Sequence, residues 1–294
     1  MITEPVERAS LAKDLKLMQT AFSRPRQYRA RRLVYTVVSS RAGGLLIGVN
    51  LNPDRACNYD CVYCEVDRTC ADSTVHCDID AMISDVDSIM AELSEDLSNS
   101  PIGVSEENRE SPIHVAISGD GEPTLSPQFE EAVDGLVHLR ARGRHPFFKI
   151  VVITNASGLD RPQTRSGLER LNSQDEIWAK LDGGTQEYLD RVNRGDVDLE
   201  QTLGNILALA RRRPVVVQSL FPSIRGIGPS EHEILDYATR LKELKDADAD
   251  IRLVQVCSAT RPTTHPETGH LPLKALSGIA RTVRNVAGLR AEVF

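Results

Sequence analysis

Short runs rich in valine and isoleucine alternate with segments of helical periodicity from residue 33 to the end of the chain. The pattern predicts strands over 45–51, 113–117, 148–153, 177–181, 215–220 and 251–256. Helices are predicted over 81–97, 129–140, 163–171, 199–212, 231–244 and 273–287. In the first of these, Met82, Ile83, Val86, Ile89, Met90, Leu93 and Leu97 recur at the spacing of one helix face. Pro127 stands near the first turn of the second. Six strand–helix units with nearly continuous apolar strands predict an α/β fold, a parallel sheet covered by helices. Right-handed crossovers leave two forms, an open doubly wound sheet or a barrel, whole or partial. No repeat or shift in composition marks a second domain. The expected organisation is therefore an N-terminal helix and basic connector over 1–32, then one domain over 33–294. Residues 98–111, with Pro101 and Gly103, read as a polar surface insertion.

Composition narrows the function classes. The chain has 294 residues, 40% hydrophobic and 26% charged, a globular balance that excludes disordered, collagen-like and coiled-coil classes. Aromatics at 4% argue against a base-stacking platform built on many rings. A net charge of -7 makes a generic nucleic-acid binder a poor expectation, although a local basic patch can still act. The connector holds Arg24, Arg26, Arg29, Arg31 and Arg32, interrupted by Pro25. It reads either as a solvated linker or as a phosphate-contacting arm for RNA or a nucleotide. No stretch reaches the roughly 18 apolar residues of a membrane span. The N-terminus carries Glu4, Glu7 and Asp14 and no apolar secretion core, so a cytoplasmic location is expected. Six cysteines are too few for a disulfide scaffold; in a reducing compartment, closely spaced ones read as metal or redox ligands.

Three of them, Cys57, Cys61 and Cys64, follow the first predicted strand with spacing C-x3-C-x2-C. Thiolates are soft ligands that select iron–sulfur clusters, zinc or Cu(I). Three on one loop can hold three corners of a [4Fe–4S] cube and leave one iron open. A structural zinc site wants a fourth ligand, usually from a second pair, and no such pair follows. Cys70, His76 and Cys77 stand near enough to keep a zinc knuckle as an alternative. In parallel α/β folds the chemistry sits at the carboxyl ends of the strands. The residues there are 52–64, 118–124, 154–157, Asp182, 218–219 and 257–263.

The cysteine spacing, with Tyr63 directly before the third cysteine, resembles the motif of the radical S-adenosylmethionine (radical SAM) superfamily. The resemblance runs from about Gly44 to Cys257 as an ordered series of strands and strand ends. It implies a partial (β/α)6 barrel. The stretch Gly48-Val49-Asn50-Leu51-Asn52-Pro53 and the segment Gly119-Asp120-Gly121-Glu122-Pro123-Thr124-Leu125 further resemble a subgroup of iron–sulfur oxidoreductases related to wyosine-forming tRNA enzymes. The implied cofactors are a [4Fe–4S] cluster on Cys57, Cys61 and Cys64 and S-adenosyl-L-methionine on the open iron. One electron from the cluster cleaves the sulfonium, and the 5′-deoxyadenosyl radical takes a hydrogen atom from the substrate. Such a reaction uses the low end of cluster potentials, so a low-potential donor such as a flavodoxin or ferredoxin is implied.

The resemblance also assigns residues. Gly119 to Glu122 is similar to the family's glycine-rich segment for the SAM amino group. Asp120 stands where the commoner pattern has glycine, which leaves Asp120 and Glu122 both as the nearer contact. Glycines let carbonyls approach an ammonium; equally, Gly119, Asp120 and Gly121 suit a tight turn. By analogy Asn155 or Ser157 meets the SAM carboxylate or ribose, or else forms a helix cap or Asx-turn. Lys180 could meet the SAM carboxylate and Asp182 the ribose hydroxyls; otherwise Lys180 snorkels to solvent. Gln218, Ser219 and the backbone near Val256 are expected pocket liners. Cys70 and Cys77 read as inert thiols or ligands of an auxiliary cluster. No cysteine follows Cys257, so a cysteine-rich C-terminal extension is not expected, and the length leaves no room for a cobalamin or flavodoxin-like domain. The substrate stays open among an RNA base, a protein and a small molecule. The competing reading is a non-enzymatic zinc-binding or iron–sulfur redox-sensing protein.

Overall fold

The computed structural model describes residues 31, 33–69, 77–99, 113–196, 198–261 and 263–294. Strands β1 (Val34–Ser39) and β2 (Gly44–Val49) form an antiparallel hairpin. Then follow α1 (Ile79–Asn99), β3 (Ile113–Ile117), α2 (Phe129–Ala141), β4 (Phe148–Thr154), α3 (Pro162–Glu169) and β5 (Glu176–Lys180). Two helices, α4 (Gln186–Val192) and α5 (Leu199–Ala210), lead to β6 (Val215–Leu220). The chain ends with β7 (Ser223–Ile224), α6 (Glu231–Asp246), β8 (Ile251–Cys257), β9 (Thr268–Gly269), α7 (Leu273–Ala287) and β10 (Ala291–Val293). The main sheet has the order β1-β2-β3-β4-β5-β6-β8-β10, parallel from β2 onward; β7 and β9 form a separate ribbon.

The six predicted strands are β2, β3, β4, β5, β6 and β8, and each is followed by its helical crossover. The edge strands β1 and β10 do not pair with each other. Yet Tyr35 and Val37 of β1, Cys257 at the end of β8 and Phe294 after β10 line one cavity. The sheet therefore curls round without closing, the partial barrel that the resemblance implies and one of the forms that the six units allow. The larger apolar core lies between helices and sheet, with Met82, Phe129, Ile150, Ile177, Val217 and Tyr237 fully buried in it. A smaller cluster of Leu46, Ala116, Val151, Trp178 and Val216 fills the inside of the curve. Register explains this division, because alternate residues of parallel strands face the same side. Ala116 pairs with Val151, and Trp178 with Val216.

Several elements were absent from the sequence pattern. β1 adjoins the basic segment, α4 is short and flanked by Gly183-Gly184, and β7, β9 and β10 span two or three residues each. Apart from β1, which has six residues, these elements are too short for periodicity to register. The expected N-terminal helix, Cys70, His76, most of the basic connector and most of the insertion over 98–111 lie outside the described residues. Arg31 is described, and it pairs with Asp85 at 3.1 Å and Glu92 at 3.5 Å on α1.

The inner cluster rests on a polar pair at the start of β4 and β5. Lys149 Nζ donates to Glu176 Oε1 at 2.6 Å, and the Trp178 indole N–H donates to Glu176 Oε2 at 2.8 Å. Burial alone would raise the Glu176 carboxyl, but these donors outweigh it and hold it below the usual glutamate range. Its folded-state value thus lies below its unfolded value. The stability it contributes is present above about pH 4.3 and is lost as pH falls through the folded value. Thermal melts from pH 6 to pH 3 are expected to show a steeper loss for wild type than for Glu176→Gln; equal slopes would contradict this assignment.

Candidate active site

Residues 50–69, which carry the three cysteines, contain no helix or strand. Their backbone groups find partners in neighbouring segments instead. The N–H groups of Asp60 and Val62 donate to the carbonyls of Asn193 and Val192 at 3.0 and 2.8 Å. Those carbonyls belong to the C-terminal end of α4, where a helix leaves acceptors unsatisfied. Asp196 N–H returns to the Asn58 carbonyl at 3.1 Å. Gly195 makes this approach possible: its φ is +70°, and a Cβ there would lie 2.4 Å from the Asn58 oxygen.

Side-chain amides fix the rest of the loop. Asn50 Nδ2 donates to Asp120 Oδ2 at 2.8 Å, and Asn50 Oδ1 accepts from Asn52 and Asp120 N–H at 3.0 Å each. Asn58 Nδ2 donates to Ser157 Oγ at 3.0 Å, and Asn155 Nδ2 donates to Asn58 Oδ1 at 2.9 Å. Asn155 Oδ1 also accepts from Ser157 N–H and Oγ–H at 3.0 and 2.7 Å, an Asx-turn. Asn155 and Ser157 are thus engaged with one another and with the loop.

Gly121 sits where the loop crosses the end of β3. A Cβ there would fall 1.8 Å from the Ala56 carbonyl oxygen. Next to it, Glu122 is 3% exposed and its carboxylate accepts from four donors. These are Thr124 N–H at 3.1 Å, Thr124 Oγ–H at 2.6 Å, Thr154 Oγ–H at 2.5 Å and Asn155 N–H at 2.6 Å. Burial pushes the Glu122 carboxyl up, and these bonds oppose it. Glu122 ties the end of β3 to the end of β4, while Asp120 lies nearer the surface.

Each cysteine sulfur meets one N–H donor. Tyr59 N–H lies 3.5 Å from Cys57 Sγ, Asn193 Nδ2 lies 3.3 Å from Cys61 Sγ, and Arg68 Nη1 lies 3.2 Å from Cys64 Sγ. Burial raises the Cys57 and Cys61 thiols. Lys180 and Arg68 each interact electrostatically with all three sulfurs. Burial would lower the Lys180 ammonium, but Asp182 and the thiols outweigh it and push it up. Lys180 Nζ also stands 4.5 Å from the centre of the Tyr63 ring. Asp182 accepts from the Tyr63 hydroxyl, from Asn193 Nδ2 at 2.7 Å and from Leu220 N–H at 2.8 Å. It is buried, with both oxygens in use.

Three soft thiolate donors on one loop fit three corners of an iron–sulfur cube, each thiolate meeting its own iron. Cys77 lies apart from the three, buried under the Asn50 carbonyl at 3.9 Å, with its thiol pushed up to about 11 by burial.

A cavity of about 550 Å³ opens beside the loop at the carboxyl ends of the strands. Tyr63, Gly119 and Gln218 line it, with Tyr35, Trp178 and Cys257. Gln218 is oriented by a 3.0 Å bond from its Nε2 to Gln255 Oε1. Asn155, Lys180 and Asp182 instead surround a void of about 10 Å³ on the α4 side. Another cavity of about 550 Å³ lies between α3 and α5, at the amino ends of β5 and β6, and touches none of the motif residues. Sequence reasoning missed Arg68 and Asn193, and it gave no role to Asn50 and Asn58, which lie in stretches it singled out. Their one local signal was an Asn or Arg in or beside an irregular segment.

Comparison with known proteins agrees with the site. The radical SAM superfamily model matches residues 51–238, and the chain belongs to that superfamily. Its members are iron–sulfur enzymes that use a [4Fe–4S] cluster and S-adenosylmethionine and need a reductant. A UPF0026 protein of Helicobacter pylori (strain J99) is 25% identical over 231 residues, 76% of this chain and 66% of that protein. A UPF0026 protein of Synechocystis is 30% identical over 176 residues, 59% of this chain and 57% of that protein. The matched region thus spans 66% of the Helicobacter protein's length and less of the Synechocystis one. Among solved structures, a radical SAM methyltransferase from Sphaerobacter thermophilus has a TM-score of 0.60 at 15% identity, covering 99% of this chain and 92% of that one. TYW1 with a lysine-pyruvate adduct bound has a TM-score of 0.55 at 16% identity, covering 97% and 90%. At these identities the likeness shows the fold. No helix among the described residues is long and apolar enough to cross a membrane.

Gly121→Ala tests whether the crossing of the two segments shapes the cysteine loop. The variant is expected to lose about 1–3 kcal/mol of stability and most of its iron uptake. Gly204→Ala, placed in α5 with open space around it, is expected to keep full iron uptake. Equal iron in both variants would contradict the packing argument.

Proposed function

We propose that Cys57, Cys61 and Cys64 hold a [4Fe–4S] cluster with one iron open to S-adenosylmethionine, and that the enzyme removes a hydrogen atom from a substrate lodged in the adjoining cavity. The observation that carries this reading is the set of three thiols on one loop, each with its own N–H donor and each interacting electrostatically with Lys180 and Arg68. When bound, the cluster and S-adenosylmethionine supply reductive cleavage of the sulfonium and hydrogen-atom abstraction.

The chain's own residues do the positioning. The carbonyls and the Asp120 carboxylate of the segment after β3 are suited to an ammonium, and the Lys180 ammonium to a carboxylate. Asn155, Ser157 and Asp182 act on the protein rather than on a ligand in this reading: they hold Asn58, Tyr63 and Asn193. Glu122 keeps the segment after β3 rigid. Gln218 presents at the cavity an amide that Gln255 orients. The inner apolar cluster and β1 keep water from the reacting groups, with Tyr35 fixed to Ser118 by a 2.9 Å hydrogen bond. Residues 33–294 act as one core domain.

The cavity of about 550 Å³ has to take the reacting part of the substrate. An RNA or protein substrate would therefore offer it a single base or residue. A flavodoxin or ferredoxin is the proposed electron donor.

Anaerobic reconstitution is expected to give a brown protein with about four irons per chain. Dithionite and S-adenosylmethionine should then release 5′-deoxyadenosine, and Cys61→Ala should lose both properties. A colourless protein with one zinc and no cleavage would overturn the proposal in favour of a metal-binding or sensing role. Lys180→Met is expected to keep its iron and to weaken S-adenosylmethionine binding by about 10–100-fold, the loss of one charge-assisted hydrogen bond. Deuterium exchanged between candidate substrates and 5′-deoxyadenosine identifies the substrate.

A further inference from the structure

Arg68 touches both halves of the site. Its Nη1 lies 3.2 Å from Cys64 Sγ and 3.5 Å from the Val66 carbonyl, and its Nη2 lies 3.3 Å from the Asp120 carbonyl. Cys64 belongs to the cysteine loop, and Asp120 to the segment after β3. The third donor, Nε–H, is buried and has no acceptor among the described residues. A buried N–H left without a partner is costly, so a donor in that state marks a place where an acceptor is due. The sulfurs around Arg68 are those of the three cysteines, and an iron–sulfur cube brings sulfide acceptors of the same kind.

We propose that Arg68 is a positioning residue that fixes the Cys64 corner of the cluster against the Asp120 carbonyl and raises the cluster's reduction potential. The proposal rests on the cluster reading above. Two effects act in the same direction. An N–H···S bond draws charge from the thiolate, and a fixed positive charge favours the more negative, reduced cube. Asn193 donates to Cys61 without a net charge, and Tyr59 donates to Cys57 from the backbone. Arg68 is thus the donor of the three that brings a full charge. Its planar fork also matters: lysine would keep the charge but could not reach a sulfur and a carbonyl through two parallel donors. Both effects operate before any substrate binds, so the cluster itself reports them.

The test compares reconstituted wild type, R68K and R68Q by iron content and by an EPR-monitored redox titration, with and without S-adenosylmethionine. At a fixed solution potential, R68Q is expected to show at least a tenfold lower ratio of reduced to oxidised cluster, equivalent to 59 mV for one electron. R68K should fall between R68Q and wild type. The change in the reduced-cluster spectrum on adding S-adenosylmethionine should differ from wild type in both variants, because the link to Asp120 is gone. R68Q with wild-type iron content, ratio and spectrum would overturn the proposal. Should R68Q lose iron, R68K decides: a lowered ratio supports the proposal and a wild-type ratio overturns it. A wild-type protein that takes up no iron would instead sink the cluster reading on which it rests.

Discussion

The cysteine loop has no ladder or helix of its own, so its shape is borrowed from the strand ends around it. Every other feature of the site depends on that loan. The last carbonyls of α4 receive Asp60 and Val62, and Asn50 and Asn58 are fastened to Asp120, Asn155 and Ser157. Buried polar groups of this kind are costly unless all of them are satisfied. Here they are paired across chain separations of 70 residues and more. The loop can hold one conformation only when the barrel around it is complete, which couples folding of the sheet to formation of the thiol site.

Charge is arranged on the same plan. Two cations act on the three sulfurs, Lys180 from the end of β5 and Arg68 from the loop itself. The acidic groups nearby are each committed. Asp182 is held by Tyr63, Asn193 and the backbone of Leu220, and Glu122 by the threonines and by Asn155. The chain is acidic overall, yet the region round the thiols suits an anionic cluster and the carboxylate of a ligand. Net charge thus described the molecule's surface in bulk and said little about this pocket.

The parts legible in the sequence were those governed by short-range pattern. Strands β3 and β6 coincide with the apolar runs 113–117 and 215–220, because a buried parallel strand leaves a continuous hydrophobic signature. The cysteine motif was legible because ligand chemistry fixes residue type and spacing together. The glycines after β3 were legible as special, but for a further reason than first expected: Gly121 makes room for the Ala56 carbonyl. Asn155, Ser157 and Asp182 read in the sequence as contacts of the cofactor; in the structure their hydrogen bonds go to the loop and to Asn193. Asn193 and Arg68 were illegible. An asparagine at a helix end and an arginine in a loop are ordinary choices locally. Only the fold brings Asn193 to Cys61, 132 positions away, and Arg68 to Asp120.

Mössbauer spectroscopy of the iron-57 protein, recorded before and after addition of S-adenosylmethionine, asks most directly whether three cysteines leave one iron free. The account predicts that one iron in four changes its isomer shift on addition, while the other three keep theirs. Four irons that stay alike, with or without S-adenosylmethionine, would mean a fourth protein ligand and would contradict it.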